Sequence, residues 1–355
     1  METGEDRTEY IAEAVRDAAA ASRALSIAGS GSKAFYGRTP TGTTLDVSSH
    51  RGIVNYAPTE LILTARAGTP LAEIEAALAG QGQMLPFEPP HFGGGGTLGG
   101  AVAAGLAGPR RPFTGAVRDM VLGLRLVNGN GEVLHFGGEV MKNVAGYDLS
   151  RLNTGALGTL GVILEVTVKV LPRPETEASV RLELPAEALH GAVEGWLRQG
   201  VPVSAAVHDG EAALLRLSGT HSGVEQGLAR VGGEALADAA TVWADWRDHR
   251  HPFFARTDTP LWRIALPPGR QPEGLPGEAV TDWAGQQLWL RTDADAAAVR
   301  GPVTARGGHA ALFAGGDRDS DVFQPLSPVL MRAHRRVKQA FDPGAILNPG
   351  RLYPE

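Results

Sequence analysis

The stretch His91-Phe92-Gly93-Gly94-Gly95-Gly96-Thr97-Leu98-Gly99-Gly100-Ala101-Val102-Ala103-Ala104-Gly105 decides the fold, and six of its residues from Gly93 to Gly100 are glycine. Each glycine costs conformational entropy on folding, so the run predicts positive φ angles or a backbone that lies too close to a ligand for a Cβ atom. Successive N–H groups in such turns form a concave site for phosphate. The small apolar residues after Thr97 predict a short helix whose N-terminus faces the bound group.

A second glycine turn lies upstream, where Gly29-Ser30-Gly31-Ser32-Lys33 follows a predicted strand at 24–28. The spacing fits the dinucleotide fingerprint, but that motif needs a long helix directly afterwards, and residues 35–42 are typical of a loop. A phosphate-binding Walker motif is excluded because Lys33 follows serine rather than glycine. We therefore predict that the two turns adjoin and hold one pyrophosphate from both sides.

Composition limits the classes of function. A chain of 355 residues predicts two domains, and the net charge of -6 without a basic face argues against nucleic-acid binding. Because the chain has no cysteine, it has no disulfide, no thiolate zinc site and no iron–sulfur cluster held by its own cysteines. Residues 89–109 are uncharged, but their glycines and prolines make a poor membrane helix. We expect a cytoplasmic protein without an integral membrane segment.

The hydrophobic pattern predicts mixed helices and strands. It indicates a helix at 8–23, a hairpin at 121–136 around Asn128-Gly129-Asn130-Gly131, a strand at 162–170 and a helix at 325–341. In that last helix, Leu330, Val337 and Phe341 are predicted to face inward. Its basic residues are expected to form a solvated face rather than a binding patch; they are Arg332, Arg335, Arg336 and Lys338.

These stretches resemble a known family. The two turns, together with Gly158-Thr159-Leu160-Gly161-Val162-Ile163, resemble the FAD-binding domain of the vanillyl-alcohol oxidase and p-cresol methylhydroxylase (PCMH-type) superfamily. The tail Asp342-Pro343-x-x-Ile346-Leu347-Asn348-Pro349-Gly350-Arg351 is similar to the end of its FAD-linked oxidase branch. Residues 142–149 are similar to bacterial glycolate and D-lactate dehydrogenases. The whole pattern most resembles the family of FAD-binding glycolate oxidase subunits.

The resemblance implies an α+β fold. A PCMH-type FAD-binding domain of two α+β subdomains is expected at 1–172, and a smaller α+β cap or substrate domain at 173–322. A C-terminal helix and tail at 323–355 would return to the FAD site.

The resemblance also implies cofactor contacts. The first turn would meet the pyrophosphate, the second would line its other side, and Asn348 would reach the flavin from the tail. FAD is expected to be non-covalent because cysteine is absent and Lys33 closes the first turn; His91 is the alternative attachment point. The predicted FAD-binding residues are Gly29, Ser30, Gly31, Ser32, Lys33, Gly95, Gly96, Thr97, Leu98, Gly99, Gly100, Gly105, Gly158, Gly161, Val162 and Asn348.

Tyr147 and His309 are the predicted catalytic residues. Tyr147 and Asp148 could face the flavin, or Asp148 could cap a helix that starts at Leu149. His309 could bind substrate, or it could be a buried histidine of the core. The related dehydrogenases carry a late two-histidine stretch that is reduced here to His309 through Asp317, so no metal site is predicted.

Two further charged clusters have alternative interpretations. Asp245, Asp248 and residues 249–251 resemble a metal cluster, but so many charges in one short stretch favour an exposed loop. Arg110 and Arg111 could pair with an FAD phosphate or with a partner subunit, and the sequence does not distinguish these.

The resemblance implies an FAD-binding subunit of a glycolate oxidase or dehydrogenase, which oxidises glycolate, a small 2-hydroxyacid, to glyoxylate by hydride transfer to FAD. Expected partners are a second, catalytic FAD-binding subunit and an iron–sulfur subunit, through which the protein would reach the inner membrane peripherally. The absence of cysteine fits this division of labour. One alternative is a non-catalytic structural subunit with the same fold. The other is a stand-alone FAD-dependent oxidase of another alcohol.

Overall fold

The structure is a computed structural model that describes residues 5–138 and 148–354. The chain divides into two compact units. The first comprises Met1–Leu106, Ala116–Pro172 and Arg318–Glu355, and the second comprises Ala107–Gly115 and Arg173–Asp317.

The segment Ala107–Gly115 groups with the second unit, whereas the sequence-based bounds put it in the first domain. Two polar contacts within the second unit explain this. The Trp283 indole donates to the carbonyl of Gly108 at 3.0 Å, and the Arg110 guanidinium pairs with Glu177. The later boundary falls after Asp317 rather than at residue 322.

The first unit combines helices with three sheets. Its strands are β1 (Leu25–Ala28), β2 (Thr43–Asp46), β3 (Ile53–Ala57), β4 (Ile62–Arg66), β5 (Gln83–Met84), β6 (Val121–Val127), β7 (Val133–Gly137), β8 (Val162–Lys169) and β9 (Leu171–Pro172). The main sheet is antiparallel with the order β3-β4-β8-β6-β7, while β1 pairs with β2 in parallel and β5 pairs with β9. The helices are Thr8–Ala20, Leu71–Ala79, Leu98–Ala104, Val117–Met120, Leu149–Asn153 and Pro328–Phe341, with a 3₁₀ turn at Pro58–Glu60.

The N-terminal helix Thr8–Ala20 forms because its apolar residues repeat at helical spacing. Ile11, Val15 and Ala18 lie on one face and are buried. They join a core with Leu164 of β8 and with Leu347 of the tail. The N-terminal helix, the glycine-turn strand β1 and the tail therefore share one hydrophobic core.

The second unit is built on one antiparallel sheet. Its strands are β10 (Thr176–Leu182), β11 (Val203–His208), β12 (Ala213–Gly219), β13 (Glu234–Ala235), β14 (Leu261–Ala265), β15 (Glu278–Asp282), β16 (Gln287–Arg291) and β17 (His309–Ala314). Their order is β13-β10-β12-β11-β15-β16-β14-β17. The helices are Arg111–Thr114, Leu189–Arg198, His221–Val231, Ala239–Arg247, Pro252–Ala255 and Ala296–Ala305, with 3₁₀ turns at Ala186–Ala188 and Trp283–Gly285. In the described parts of both units, no helix is both long and apolar enough to cross a bilayer.

The helix Pro328–Phe341 corrects two predicted orientations. Leu330 was expected to face inward and is 57% exposed, while Lys338 was expected to face outward and is buried. The Lys338 ammonium donates to the carbonyls of Thr159 at 2.9 Å and Leu347 at 2.7 Å, and to the Asp342 carboxylate at 2.7 Å. Asp342 also accepts the backbone N–H groups of Ile346 and Leu347. This buried ion pair fastens the tail to the fold.

Replacing Lys338 with methionine should lower the free energy of unfolding by about 3 kcal/mol, because it leaves the Asp342 carboxylate buried without its cation. Urea unfolding followed by circular dichroism measures the change. Arg332→Met on the exposed face of the same helix is the matched control and should shift stability by less than about 0.5 kcal/mol. Equal stability of the two variants would contradict the structural role of the pair.

Asp282 is a buried carboxyl group at the end of β15. It accepts the backbone N–H of Trp283 at 2.7 Å and the Gln287 side-chain amide at 3.3 Å. Burial disfavours the carboxylate and outweighs these bonds, which raises the pKa of Asp282 from 3.8 to about 6. The folded state therefore keeps this proton over a pH range in which the unfolded state releases it.

The unfolded chain binds fewer protons at this site between about pH 4 and pH 6, so stability falls as the pH rises through that window. Asp282→Asn should remove this fall, which amounts to about 3 kcal/mol for a shift of roughly two pKa units. Urea midpoints measured across the window test this, with the exposed residue Asp293→Asn as control. Parallel profiles for the wild type and Asp282→Asn would refute the assignment.

Candidate cofactor site

The first glycine turn, Gly29 to Lys33, directly follows β1. That strand is held on one side by β2, and on the other by the tail, where Leu25 donates to the Ile346 carbonyl at 2.7 Å. Gly31 has a φ of +75°, which favours glycine. Within the described chain, the N–H groups of Ser30, Gly31 and Ser32 donate to no protein acceptor. The turn therefore offers a row of backbone donors on a fixed strand.

The second turn begins with three consecutive residues of positive φ: Phe92 at 48°, Gly93 at 82° and Gly94 at 87°. Thr97 then caps the helix Leu98–Ala104 and accepts the N–H of Gly100 at 3.2 Å. For the residues that the structure describes, the N–H groups of Gly94 and Gly95 also have no protein acceptor.

The two turns lie side by side, as the sequence predicts. A Cβ atom on Gly29 would lie 3.1 Å from the Thr97 hydroxyl oxygen, and one on Gly95 would lie 3.6 Å from the Ser30 Cβ. The rings of Phe35 and Phe92, which flank the turns, meet edge to face at 5.3 Å. The two sets of unpartnered amides therefore lie on adjoining turns, as the binding of one diphosphate requires.

A cavity of about 1340 Å³ opens beside the turns, within the first unit. Ser30, Gly95 and Thr97 of the turns line it, together with Asn55 and Tyr56 of β3. The charged lining residues are Glu5, Arg51 and Glu73. Backbone amides rather than clustered lysines and arginines are therefore the donors available to an anion here.

Several predicted cofactor residues shape the turns instead of presenting free donors. The N–H of Leu98 donates to Thr69, and the N–H of Gly99 donates to Ala67 at 2.8 Å. Gly105 ends the helix in the left-handed region, beside Gly155. Gly161 packs under Leu126, and Val162 is buried at the start of β8. Their direct contact with a cofactor stays a prediction.

Asn348 is buried and has a role that the sequence did not indicate. Its side-chain oxygen accepts the N–H of Ile27 at 2.7 Å, and its amide nitrogen donates to the Leu157 carbonyl at 2.6 Å. The backbone N–H of Asn348 donates to Leu25 at 2.9 Å. Gly158 is required at its position because a Cβ there would lie 2.8 Å from the Asn348 amide nitrogen. Asn348 therefore positions β1 and the loop at Leu157–Gly158.

The catalytic candidates have different outcomes. Tyr147 lies outside the described residues. Asp148 caps the helix Leu149–Asn153 by accepting the N–H of Arg151 at 3.0 Å, so the capping alternative is observed. His309 is an exposed residue at the start of β17 in the second unit, so the alternative of a buried core histidine is wrong. His91, the alternative flavin attachment point, contacts Glu75 at 3.1 Å.

The cluster around His249 corrects another expectation. The predicted exposed loop is instead packed: the His249 ring stacks on Phe254 at 4.2 Å and meets Trp289 edge to face at 4.5 Å. Burial lowers the pKa of His249 to about 3. Asp248 is buried and pairs with Arg247 and Arg250. Among the described residues, no group of three or more His, Asp or Glu side chains could hold a metal ion.

Arg110 and Arg111, for which the sequence left two alternatives, both have partners within the second unit. Arg110 pairs with Glu177 and contacts the Ser218 hydroxyl at 3.4 Å. Ser218 and Arg110 lower the pKa of Glu177 below its usual value, despite the opposing effect of burial. The Arg111 guanidinium lies over the Trp283 ring at 4.1 Å.

Comparisons with known proteins agree with this geometry. A family model described as an FAD binding domain matches residues 6–137. The chain is 48% identical over 350 residues to the glycolate oxidase subunit GlcE of Escherichia coli, and the match covers 99% of this chain and 98% of that protein. It is 34% identical over 154 residues to the glycolate oxidase subunit GlcD of Bacillus subtilis, covering 43% of this chain and 33% of that protein.

Among solved structures, p-cresol methylhydroxylase with substrate bound superposes with a TM-score of 0.78. The match covers 99% of this chain and 88% of that chain at 16% sequence identity. Identity this low shows the fold alone. The predicted PCMH-type α+β fold is confirmed.

Gly99→Ala should destabilise the first unit by about 1–3 kcal/mol through overpacking. The new methyl carbon would lie 2.5 Å from the Ala67 Cβ and 2.9 Å from its carbonyl oxygen. Urea unfolding measures the loss. The control Gly191→Ala lies in the helix Leu189–Arg198 with nothing within 4 Å of the new atom, and it should not destabilise. A Gly99→Ala variant as stable as the control would show that the helix does not need this close approach.

Proposed function

The chain belongs to the family of the glycolate oxidase subunit GlcE, and on that premise we propose that it is the FAD-binding subunit of a glycolate-oxidising complex. The observation that carries the proposal is full-length identity of 48% to that subunit, combined with two adjoining glycine turns that line one cavity. The overall reaction is oxidation of glycolate, a small 2-hydroxyacid, to glyoxylate.

The residues of the first unit fit FAD in two respects. Among the described residues, the N–H groups of Ser30, Gly31, Ser32, Gly94 and Gly95 have no protein acceptor, and they form a donor set suited to a diphosphate. The absence of a Cβ at Gly29 and Gly95 leaves the gap between the turns open. When bound, FAD supplies the acceptor for a hydride from the substrate carbon.

The protein's own residues hold this arrangement rigid. Asn348 fixes β1 at Ile27 and the loop at Leu157, so both lie in defined positions beside the first turn. The Lys338–Asp342 pair in turn fixes the tail that carries Asn348. Precise positioning of a cofactor depends on such supporting contacts.

The binding is proposed to be non-covalent. His91, the alternative attachment point, contacts Glu75, and the His91 side chain is only 12% exposed. The proposed partners are a second, catalytic FAD-binding subunit and an iron–sulfur subunit. This chain has no cysteine to hold a cluster of its own.

Gly95→Ala is the sharpest test of the cofactor site. The added methyl group has room beside Ser30 at 3.6 Å, so the fold should persist, but it projects into the gap between the turns. We expect FAD affinity to fall by at least about tenfold, since one blocked contact of this kind costs about 1.4 kcal/mol or more. Flavin absorbance near ~450 nm per chain and titration of the apoprotein with FAD measure the loss. Gly301→Ala, in an open helical position of the second unit, is the control.

Two further readings complete the experiment. Yellow colour that passes into the supernatant after acid precipitation supports non-covalent FAD. Colour that stays in the pellet would support covalent attachment at His91. Glycolate turnover with an artificial dye is then compared for the chain alone and with the second FAD-binding subunit. Purified wild-type chain that neither carries nor takes up FAD would contradict the proposal. Peroxide production from another alcohol without partners would favour the stand-alone oxidase.

A further inference from the structure

Arg351 is a buried arginine of the C-terminal tail, with only 7% of its surface exposed. Its guanidinium donates to the carbonyls of Ala34 at 2.8 Å and Tyr36 at 2.6 Å, and also to that of Arg38. Among the described residues, none of its hydrogen bonds goes to a carboxylate. The side chain therefore bonds only to the backbone of residues 34–38, which we call the post-turn loop.

Further contacts hold the post-turn loop in place. The N–H of Arg38 donates to the Arg351 carbonyl at 3.0 Å, and the Arg318 guanidinium donates to the Gly37 carbonyl at 3.1 Å. Gly37 has a φ of +91°, and a Cβ atom there would lie 2.8 Å from the Leu157 side chain and 3.2 Å from Nε of Arg351. The loop therefore packs closely against both Arg351 and Leu157, and only glycine fits between them.

The post-turn loop is hydrogen-bonded back to the first glycine turn. The N–H of Ala34 donates to the Gly31 carbonyl at 2.9 Å, and the N–H of Tyr36 donates to the Lys33 carbonyl at 3.1 Å. Arg351 therefore binds the carbonyls of the same two residues whose N–H groups bond to the turn. Among the described residues, the lining of the cavity beside the turns includes neither Arg351 nor the post-turn loop. An effect of Arg351 on a ligand in that cavity must therefore pass through the protein.

Asn348 and Arg351 hold opposite ends of the first glycine turn. Asn348 bonds to Ile27 in the strand before the turn, and Arg351 bonds to the loop after it. The N–H of Arg351 donates to the Asn348 carbonyl at 3.2 Å, so one short stretch of the tail makes both contacts. We infer that Arg351 is a positioning residue for the diphosphate, because it keeps the first turn in the conformation that leaves the amides of residues 30–32 free. The inference rests on the proposed function.

A preformed turn binds its ligand more tightly than a turn that becomes ordered on binding, because that ordering costs conformational entropy. Burial lowers the pKa of Arg351 to about 10, so the guanidinium stays charged at neutral pH. Its hydrogen bonds to the carbonyls are therefore charge-assisted, which makes them stronger than neutral ones. Without Arg351, the carbonyls of Ala34 and Tyr36 lose these donors, and the turn is no longer fixed at its second end.

Arg351→Met tests this role, because methionine keeps an unbranched side chain and removes every donor. We expect the Kd of the full-length apoprotein for FAD, measured by quenching of flavin fluorescence, to rise by at least about tenfold, or about 1.4 kcal/mol. The Kd for ADP, which carries the diphosphate without the flavin and is measured by competition, should rise by the same factor. Arg351→Lys keeps the charge but presents its donors from a single nitrogen, so its Kd for FAD should lie between the two.

Arg291→Met is the matched control. Arg291 is 6% exposed and donates to the carbonyls of Phe253 at 3.2 Å, Phe254 at 2.7 Å and Thr259 at 2.6 Å, all within the second unit. Both methionine variants should lose stability in urea, because both leave carbonyls without a charged donor. Only Arg351→Met should lose affinity for FAD and ADP. A merely structural role of Arg351 would lower stability without this difference in Kd.

Titrations are made well below the unfolding transition of each variant. An unchanged Kd for FAD in Arg351→Met would overturn the inference, and so would an equal loss in Arg291→Met or a loss for FAD without one for ADP. Where Arg351→Met does not fold, Arg351→Lys decides: a raised Kd supports the inference, whereas a wild-type Kd or failure to fold overturns it. A wild-type chain that does not bind FAD contradicts the proposed function itself, whereas a wild type that binds FAD no better than Arg351→Met counts against Arg351 alone.

Discussion

The close approach of two glycine-rich backbones is the constraint on which this protein depends. A side chain on Gly29 would press against the Thr97 hydroxyl, and the gap beside Gly95 stays open because that residue has no Cβ. Among the described residues, the amides without a protein acceptor lie on both of these adjoining turns. An anion bound there is held by many weak, fixed dipoles whose geometry the fold sets before the ligand arrives.

The tail determines whether those dipoles are fixed. Asn348 uses both ends of its amide to join β1 to the loop at Leu157, and Lys338 and Asp342 bind the tail through buried, charge-assisted hydrogen bonds. Such bonds are stronger than neutral ones, and leaving either partner alone in the interior is costly. The helix Pro328–Phe341 therefore holds, through Lys338 and Asp342, the tail that supports β1.

The sequence predicted the parts of this structure that follow from local chemistry. Glycine density located both turns, Asn128-Gly129 located the hairpin, and apolar spacing located the N-terminal helix. It also predicted that the turns adjoin. The prediction placed Asn348 at the flavin and did not include its buried side-chain hydrogen bonds to Ile27 and Leu157. Its φ of 41° lies in the left-handed region, which few non-glycine residues adopt.

Predictions for the surroundings of single side chains were wrong where tertiary contacts override local patterns. The charges around His249 favoured an exposed loop, but the ring of His249 packs against Phe254 and against Trp289, which is 40 residues away in sequence. Helical periodicity predicts an exposed Lys338. The carbonyls of Thr159 and Leu347, which accept its hydrogen bonds, become its neighbours only in the folded chain. Residues 107–115 group with the second unit, where Trp283 donates a hydrogen bond to Gly108. Sequence spacing does not predict this contact.

The bond from Ile27 to Asn348 spans 321 residues. A ribosome that has made the first glycine turn must synthesise nearly all of the remaining chain before β1 receives its neighbour from the tail. Nascent chains that stop before Asn348 lack this support for β1. We therefore expect stable flavin binding to require a chain that has been translated through Asn348.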